Sequence, residues 1–98
     1  MKLLTFEWDE RKNAINIKKH GISFEEAALV FKDPKRYEKF DTAHSFFEKR
    51  WITVGFAGWK VLRVVFTEMN STIRIITARK ADKIDEERYF YGYSKTNY

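Results

Sequence analysis

The apolar residues of this 98-residue chain change period near residue 50, from the 3.6 of a helix to the 2 of a strand. No single element satisfies both periods, so the chain must be helical first and sheet later. In the second half, three stretches rich in β-branched and aromatic residues, Trp51 to Phe56, Val61 to Thr67 and Thr72 to Thr77, are separated by breaks at Ala57-Gly58 and Asn70-Ser71. Breaks this short connect antiparallel neighbours, which predicts a three-stranded meander. A weaker strand is expected around Tyr37 to Asp41, ahead of the meander.

In the first half, Leu3 to Trp8 reads as a short strand and Asp9 as the cap of a first helix that Gly21 ends. Ala14 and Ile17, with Ile15 beside them, form its expected apolar stripe, and Arg11, Lys12, Lys18 and Lys19 point elsewhere. Ser23 and Glu26 form a capping box that opens a second helix through Ala27, Ala28, Val30 and Phe31, which Asp33-Pro34 closes. Asp82 begins a last short helix through Ile84, Tyr89 and Phe90, with Gly92 at its end. The expected fold is α+β in one domain over 1–98: a mostly antiparallel sheet, two N-terminal helices packed on it and a short C-terminal helix. At this length roughly 65% of the unfolded surface can be buried, enough for one modest core.

Composition narrows the chemistry. With no cysteine, thiolate metal sites and disulfides are excluded, and with two histidines a multi-histidine zinc centre is not expected, so no cofactor is expected. Glu7 comes too early for a signal peptide, and no apolar run approaches the roughly 20 residues that span a membrane, so a cytoplasmic protein without membrane contact is expected. The net charge of +5 is concentrated in residues 41–80, which carry +4. A basic centre attracts nucleic acid or an acidic protein segment.

Four clusters carry the candidate residues. Lys18-Lys19-His20-Gly21 ends the first helix, where cations suit the macrodipole and where a phosphate could also be met. In Asp41-x-x-His44-x-x-x-Glu48-x-Arg50, Glu48 and Arg50 project to the face of Ile52 and Val54. They form either a rim charge pair or a base beside a phosphate-binding guanidinium. In Arg74-Ile75-Ile76-Thr77-Ala78-Arg79-Lys80-Ala81, strict alternation puts Ile75, Thr77 and Arg79 on one face and Arg74, Ile76, Ala78 and Lys80 on the other. In Arg88-Tyr89-Phe90-Tyr91, tyrosine serves as packing or as a phenol near phosphate or a base.

These segments, together with Phe6-x-Trp8-Asp9-x-x-Lys12-x-x-x-Asn16-x-x-Lys19-His20-Gly21-x-x-Phe24-x-x-Ala27 and Phe31-x-Asp33-Pro34, resemble the BrnT toxin family over about 85 residues. The resemblance implies a RelE-like fold and a type II toxin that cleaves RNA, free or on the ribosome, and blocks translation. It also implies a BrnA-type ribbon-helix-helix antitoxin, through which alone promoter DNA is bound. An RNase without metal needs a base for the 2′-hydroxyl, cations for the phosphate and a proton for the leaving oxygen. Glu48 or His20 is the candidate base, Arg50 and Arg79 the clamp, and Tyr89 or His44 the acid. Lys12, Lys19, His44, Arg63 and Lys80 are candidate RNA contacts. The rival readings are a non-catalytic antitoxin-binding module and a DNA- or gyrase-directed one. Two residues depart from the family pattern: Thr77 replaces serine and keeps the hydroxyl, while Asp85 replaces glutamate and shortens a carboxylate. Asp85 either positions a catalytic group, in which case activity falls, or pairs with a cation, in which case nothing follows.

Overall fold

The computed structural model describes residues 3–92; the expected single domain extends past them at both ends. Strand β1 is Thr5–Glu7, shorter than the stretch read from sequence, and helix α1 is Glu10–His20. The Asp9 side chain accepts from the Arg11 and Lys12 amides, and Gly21 closes α1 at φ 71°, the left-handed value that favours glycine. Helix α2 (Phe24–Ala28) opens with the Ser23–Glu26 capping box and tightens into a 3-10 turn over Leu29–Lys32. Then come β2 (Tyr37–Phe40), a short 3-10 turn (Thr42–His44), β3 (Trp51–Ala57), β4 (Lys60–Met69), β5 (Thr72–Lys80) and helix α3 (Lys83–Tyr91).

The five strands form one mixed sheet in the order β1-β5-β4-β3-β2. Strands β3, β4 and β5 form the antiparallel meander read from the sequence, β2 adds antiparallel to β3, and β1 alone is parallel, beside β5. Directly opposed residues share a face, so Thr53, Val64 and Ala78 line one side, and Ile52, Val65 and Thr77 line the other. On the first side, Leu62, Val64, Phe66, Ile73 and Ile75 pack with Phe24, Ala27 and Val30 into the main core. The second side carries a smaller cluster of Ile52, Val54 and Val61, against which Tyr37 and Tyr89 pack. Helix α2 and its 3-10 turn therefore cover one face, and α3 covers part of the other. Gly55 is what lets the 3-10 turn approach: a Cβ there would lie 2.8 Å from the Arg36 Cβ and 3.0 Å from a Val30 methyl.

Two expectations about faces are corrected. The buried residues of α1 are Asn13 and Asn16, whereas Ala14, Ile15 and Ile17 are exposed. The reason is that α1 runs along the edge of β5 beyond the end of β1, where the strand offers unpaired backbone groups. Asn16 supplies the missing partner: Nδ2 donates to the carbonyls of Ala78 and Ile22, both at 2.8 Å, and Oδ1 accepts from the Ala78 amide at 3.1 Å. Asn13 Oδ1 accepts from the Phe24 amide at 2.8 Å, joining α1 to the start of α2.

The second correction is in β5. The register pairs Val65 with Thr77 but Phe66 with Ile75, so Ile76 is an extra residue at a bulge. Ile75 consequently enters the main core, and Arg74 moves to the face of Thr77 and Arg79. Strict alternation had separated Arg74 from them.

Candidate active site

Residues 41–50 form a loop whose ends are tied together. The Asp41 amide donates to the Arg50 carbonyl at 2.8 Å. Ser45 Oγ donates to the Asp41 carbonyl at 2.6 Å and accepts from the Arg50 amide at 2.9 Å. His44 Nδ1 lies 3.2 Å from both oxygens of Asp41, which is buried, so the imidazole is oriented with its other nitrogen outward. This base fixes where Arg50 leaves the loop and enters the second face of the sheet.

There Arg50 Nη2 donates to Glu48 Oε2 at 3.2 Å, and the other oxygen of Glu48 accepts from Arg74 Nη2 at 2.6 Å. One carboxylate thus bridges two guanidiniums. Among the described residues, Arg50 Nε is the one buried side-chain polar atom with no hydrogen-bond partner. A donor in that condition is unfavourable by about 1–3 kcal/mol unless something fills it.

Arg50 stands on a wall shared by two clefts. The first, about 250 Å³, runs between Lys12, Ile15, Asn16, Lys19 and His20 of α1 and Arg50, Ile76 and Thr77 of the sheet. Residues 12, 16 and 19 recur at helical spacing, so one face of α1 presents two lysines and, at its end, His20 to Arg50. The second, about 230 Å³, is lined by His44, Phe46, Phe47, Glu48 and Arg50. The structure therefore brings His20, Lys12, Lys19, His44 and Glu48 around Arg50. A larger concavity of about 620 Å³ has Glu7, Glu48 and Glu68 in its lining against Lys49 and Arg74. Three carboxylates suit a phosphate backbone poorly, so its size does not make it the better candidate.

The other basic candidates lie further along the sheet. Arg63 and Arg79 face each other across β4 and β5, two residues beyond the Val65–Thr77 pair. Strand spacing places the Cα atoms of Arg50 and Arg79 roughly 16 Å apart, on the same face but not at one point. Arg79 is half-exposed, with Nη2 4.0 Å from Asp82. Lys80 opposes Leu62 and so points to the other side. Asp85 is 2% exposed, 3.3 Å from Arg63 and 3.9 Å from Lys39, and the Tyr37 hydroxyl donates to it at 3.3 Å. The shorter carboxylate is thus paired with cations, one of them the candidate RNA contact Arg63.

Tyr89 lies apart. Its hydroxyl donates to Asp33 Oδ2 at 2.5 Å and its ring stacks on Phe56, six residues along β3 from Arg50. Burial, and then the Asp33 hydrogen bond and charge, push the phenol up to about 12. Burial pushes Asp33 the other way from its partners, but the bonds from the Phe56 amide, Tyr89 and the Lys35 amide prevail and hold it below the usual carboxylate range.

Sequence reasoning missed three features of the site. Arg74 was hidden by the bulge, whose only trace is the Ile75-Ile76 doublet, a break in strict alternation. Asn16 was quoted in the motif without a role, though a polar residue at a core-facing helical position is such a signal. Phe46 and Phe47 fall between the expected strands and carried no periodicity.

Comparison with known families matches residues 8–85 to the ribonuclease toxin, BrnT, of type II toxin-antitoxin systems. The chain belongs to the BrnT toxin family. No curated protein matches it. The match covers both clefts around Arg50, as well as Arg63, Arg79 and Lys80, and stops short of Tyr89. A BrnT toxin belongs to a pair, so an antitoxin partner comes with the family.

Proposed function

We propose that this BrnT chain cuts RNA at Arg50, without a metal ion, by turning the 2′-hydroxyl of the substrate on the adjacent phosphate. The observation that carries the reading is Arg50 itself: oriented by Glu48, with a buried donor unfilled, on the wall between a cleft that holds His20 and one that holds His44. In that arrangement the scissile phosphate sits against the Arg50 guanidinium, which stabilises the charge that builds on its oxygens. His20 takes the 2′-hydroxyl proton as the 2′-oxygen bonds to phosphorus. His44, oriented by Asp41, gives a proton to the departing 5′-oxygen. The products are a 2′,3′-cyclic phosphate and a 5′-hydroxyl. Glu48, with both oxygens engaged by guanidiniums, holds Arg50 in place and is the reserve base. Lys12 and Lys19 meet the flanking backbone on one side, and Arg79 and Arg63 extend the basic surface along the sheet, while Lys80, on the other face, lies outside it. Tyr89 is committed to Asp33 and fixes α3.

The fold assignment that accompanies this reading is RelE-like, and the proposed partner is a BrnA-type ribbon-helix-helix antitoxin whose acidic groups cover Arg50 and Arg79. The RNA is met free or on the ribosome in the cytoplasm; no helix among the described residues is long and apolar enough to cross a membrane. The test is to incubate the purified chain with RNA of defined sequence, with and without excess chelator, and to identify the ends. Cyclic or 3′-phosphate ends that form equally in chelator support the reading. Metal-dependent cleavage with 5′-phosphate ends would overturn it.

A further inference from the structure

Phe46 and Phe47 are 88% and 94% exposed, two adjacent rings in the 41–50 loop with centroids 4.7 Å apart and planes 77° apart, the edge of one against the face of the other. Single exposed apolar residues are ordinary on protein surfaces. A neighbouring pair left almost wholly in water, on a loop whose base is tied by the Asp41, Ser45 and Arg50 bonds, marks a binding surface. The surroundings say what it binds. The same small cleft is walled by Arg50, His44 and Glu48, with Lys49 next in the chain; since the Glu48 carboxylate is already engaged by Arg50 and Arg74, the guanidinium is the group left to meet an anionic part of a ligand on the rings. An exposed ring face beside a guanidinium fits a nucleotide, base on ring and phosphate on cation.

We infer that the Phe46–Phe47 pair forms a stacking platform for one unpaired base of the RNA, one ring offering its face and the other bracing it edge-on, next to the phosphate held by Arg50. The inference rests on the ribonuclease reading and deepens it: the substrate must be single-stranded at the cut, because a base within a duplex already stacks on its neighbours and cannot lie on the loop. The platform does not read sequence, since every base has a face to stack. It sets which strand form is accepted and helps fix the register of the phosphate at Arg50.

The test uses the full chain and a fluorescent oligonucleotide made entirely of 2′-O-methyl RNA, which lacks the nucleophile and stays intact. It is offered as a single strand and as a duplex, and affinity is read by anisotropy over a range of salt. Replacing both rings in F46A/F47A should weaken single-strand binding by about tenfold or more, leave the salt dependence unchanged and not alter duplex binding. F46Y/F47Y, which keeps the rings, should bind as the parent does. R50A should weaken binding and also lower the salt slope by about one counterion. If F46A/F47A binds the single strand as tightly as the parent, the platform is wrong. A parallel titration with the purified antitoxin covers the alternative: if that variant loses affinity only there, the platform is equally wrong and the rings are a protein-docking surface. Because the probe cannot be cut, these results judge the platform separately from the ribonuclease reading, which fails on its own if the parent leaves ordinary RNA intact.

Discussion

Arg50 and Tyr89 show how differently two polar side chains over one face of the sheet can be employed. Arg50 has a single carboxylate partner and a buried donor left open, so it is oriented but not satisfied. R50A should lower kcat/KM for RNA cleavage by about 100-fold or more, the effect of removing one preorganised donor from a developing oxyanion, with little change in thermal midpoint. Tyr89 is satisfied by Asp33. Its phenol, pushed up to about 12, stays neutral in the folded chain, whereas it ionises near 10 once unfolded. Its contribution to stability is therefore complete below pH 10 and lost as the pH rises towards 12. Y89F should unfold about 1–2 kcal/mol more easily at neutral pH and show a smaller decline between pH 10 and 12 in urea titrations. Asp33 behaves in the opposite sense. Because its carboxyl lies below the usual range, its contribution is present above about pH 4 and is lost as acid protonates it.

Among the elements, α1 and the β4–β5 turn carry the clearest tests. Three buried hydrogen bonds from one amide hold α1 to the edge of β5 and to Ile22. N16A leaves two carbonyls and an amide without partners and should destabilise the chain by about 2–4 kcal/mol, read as a lower midpoint in denaturant. N16D should also destabilise, since a carboxylate cannot donate to the carbonyls. Either change also frees the helix that places His20 and Lys19 opposite Arg50, so cleavage should fall with stability. In the turn between β4 and β5, both Asn70 and Ser71 have positive φ, 52° and 71°, the pattern of a type I′ turn. Serine is strained there and glycine is not, so S71G should stabilise by about 1 kcal/mol without touching the site. G55A should do the reverse, since its methyl would press on Arg36 and Val30.

For the molecule as a whole, the charge distribution governs association. The basic excess in residues 41–80 includes Arg50, Arg63, Arg74 and Arg79, which the bulge and the sheet register gather on one face. Two acids of that face, Glu48 and Asp85, are already paired with guanidiniums. An acidic antitoxin segment approaching this face is steered by it. The association rate should fall several-fold between 50 and 500 mM salt, as screening shortens from about 10 Å at 0.1 M, while the dissociation rate changes less. Stopped-flow mixing with the purified partner measures both. A rate indifferent to salt would mean that the partner docks on another surface.

The local sequence determined the elements and their ends: Asp9, Gly21, Ser23 with Glu26, and Asp82 act on amides and backbone angles within a turn of themselves. It determined the meander too, because period-2 segments joined by two-residue breaks have one sensible pairing. The family-bearing residues were legible as a motif. Their placement was not, since His20 and His44 come to line clefts on Arg50 only when α1 and the 41–50 loop settle on the sheet. Only the tertiary structure decided which face each element shows. Helix α1 buries its asparagines against all expectation from hydrophobicity, because a strand edge demands hydrogen bonds more than apolar contact. Strand β5 sends Ile75 to the core and Arg74 to the site, because one extra residue in a ladder reverses every side chain beyond it.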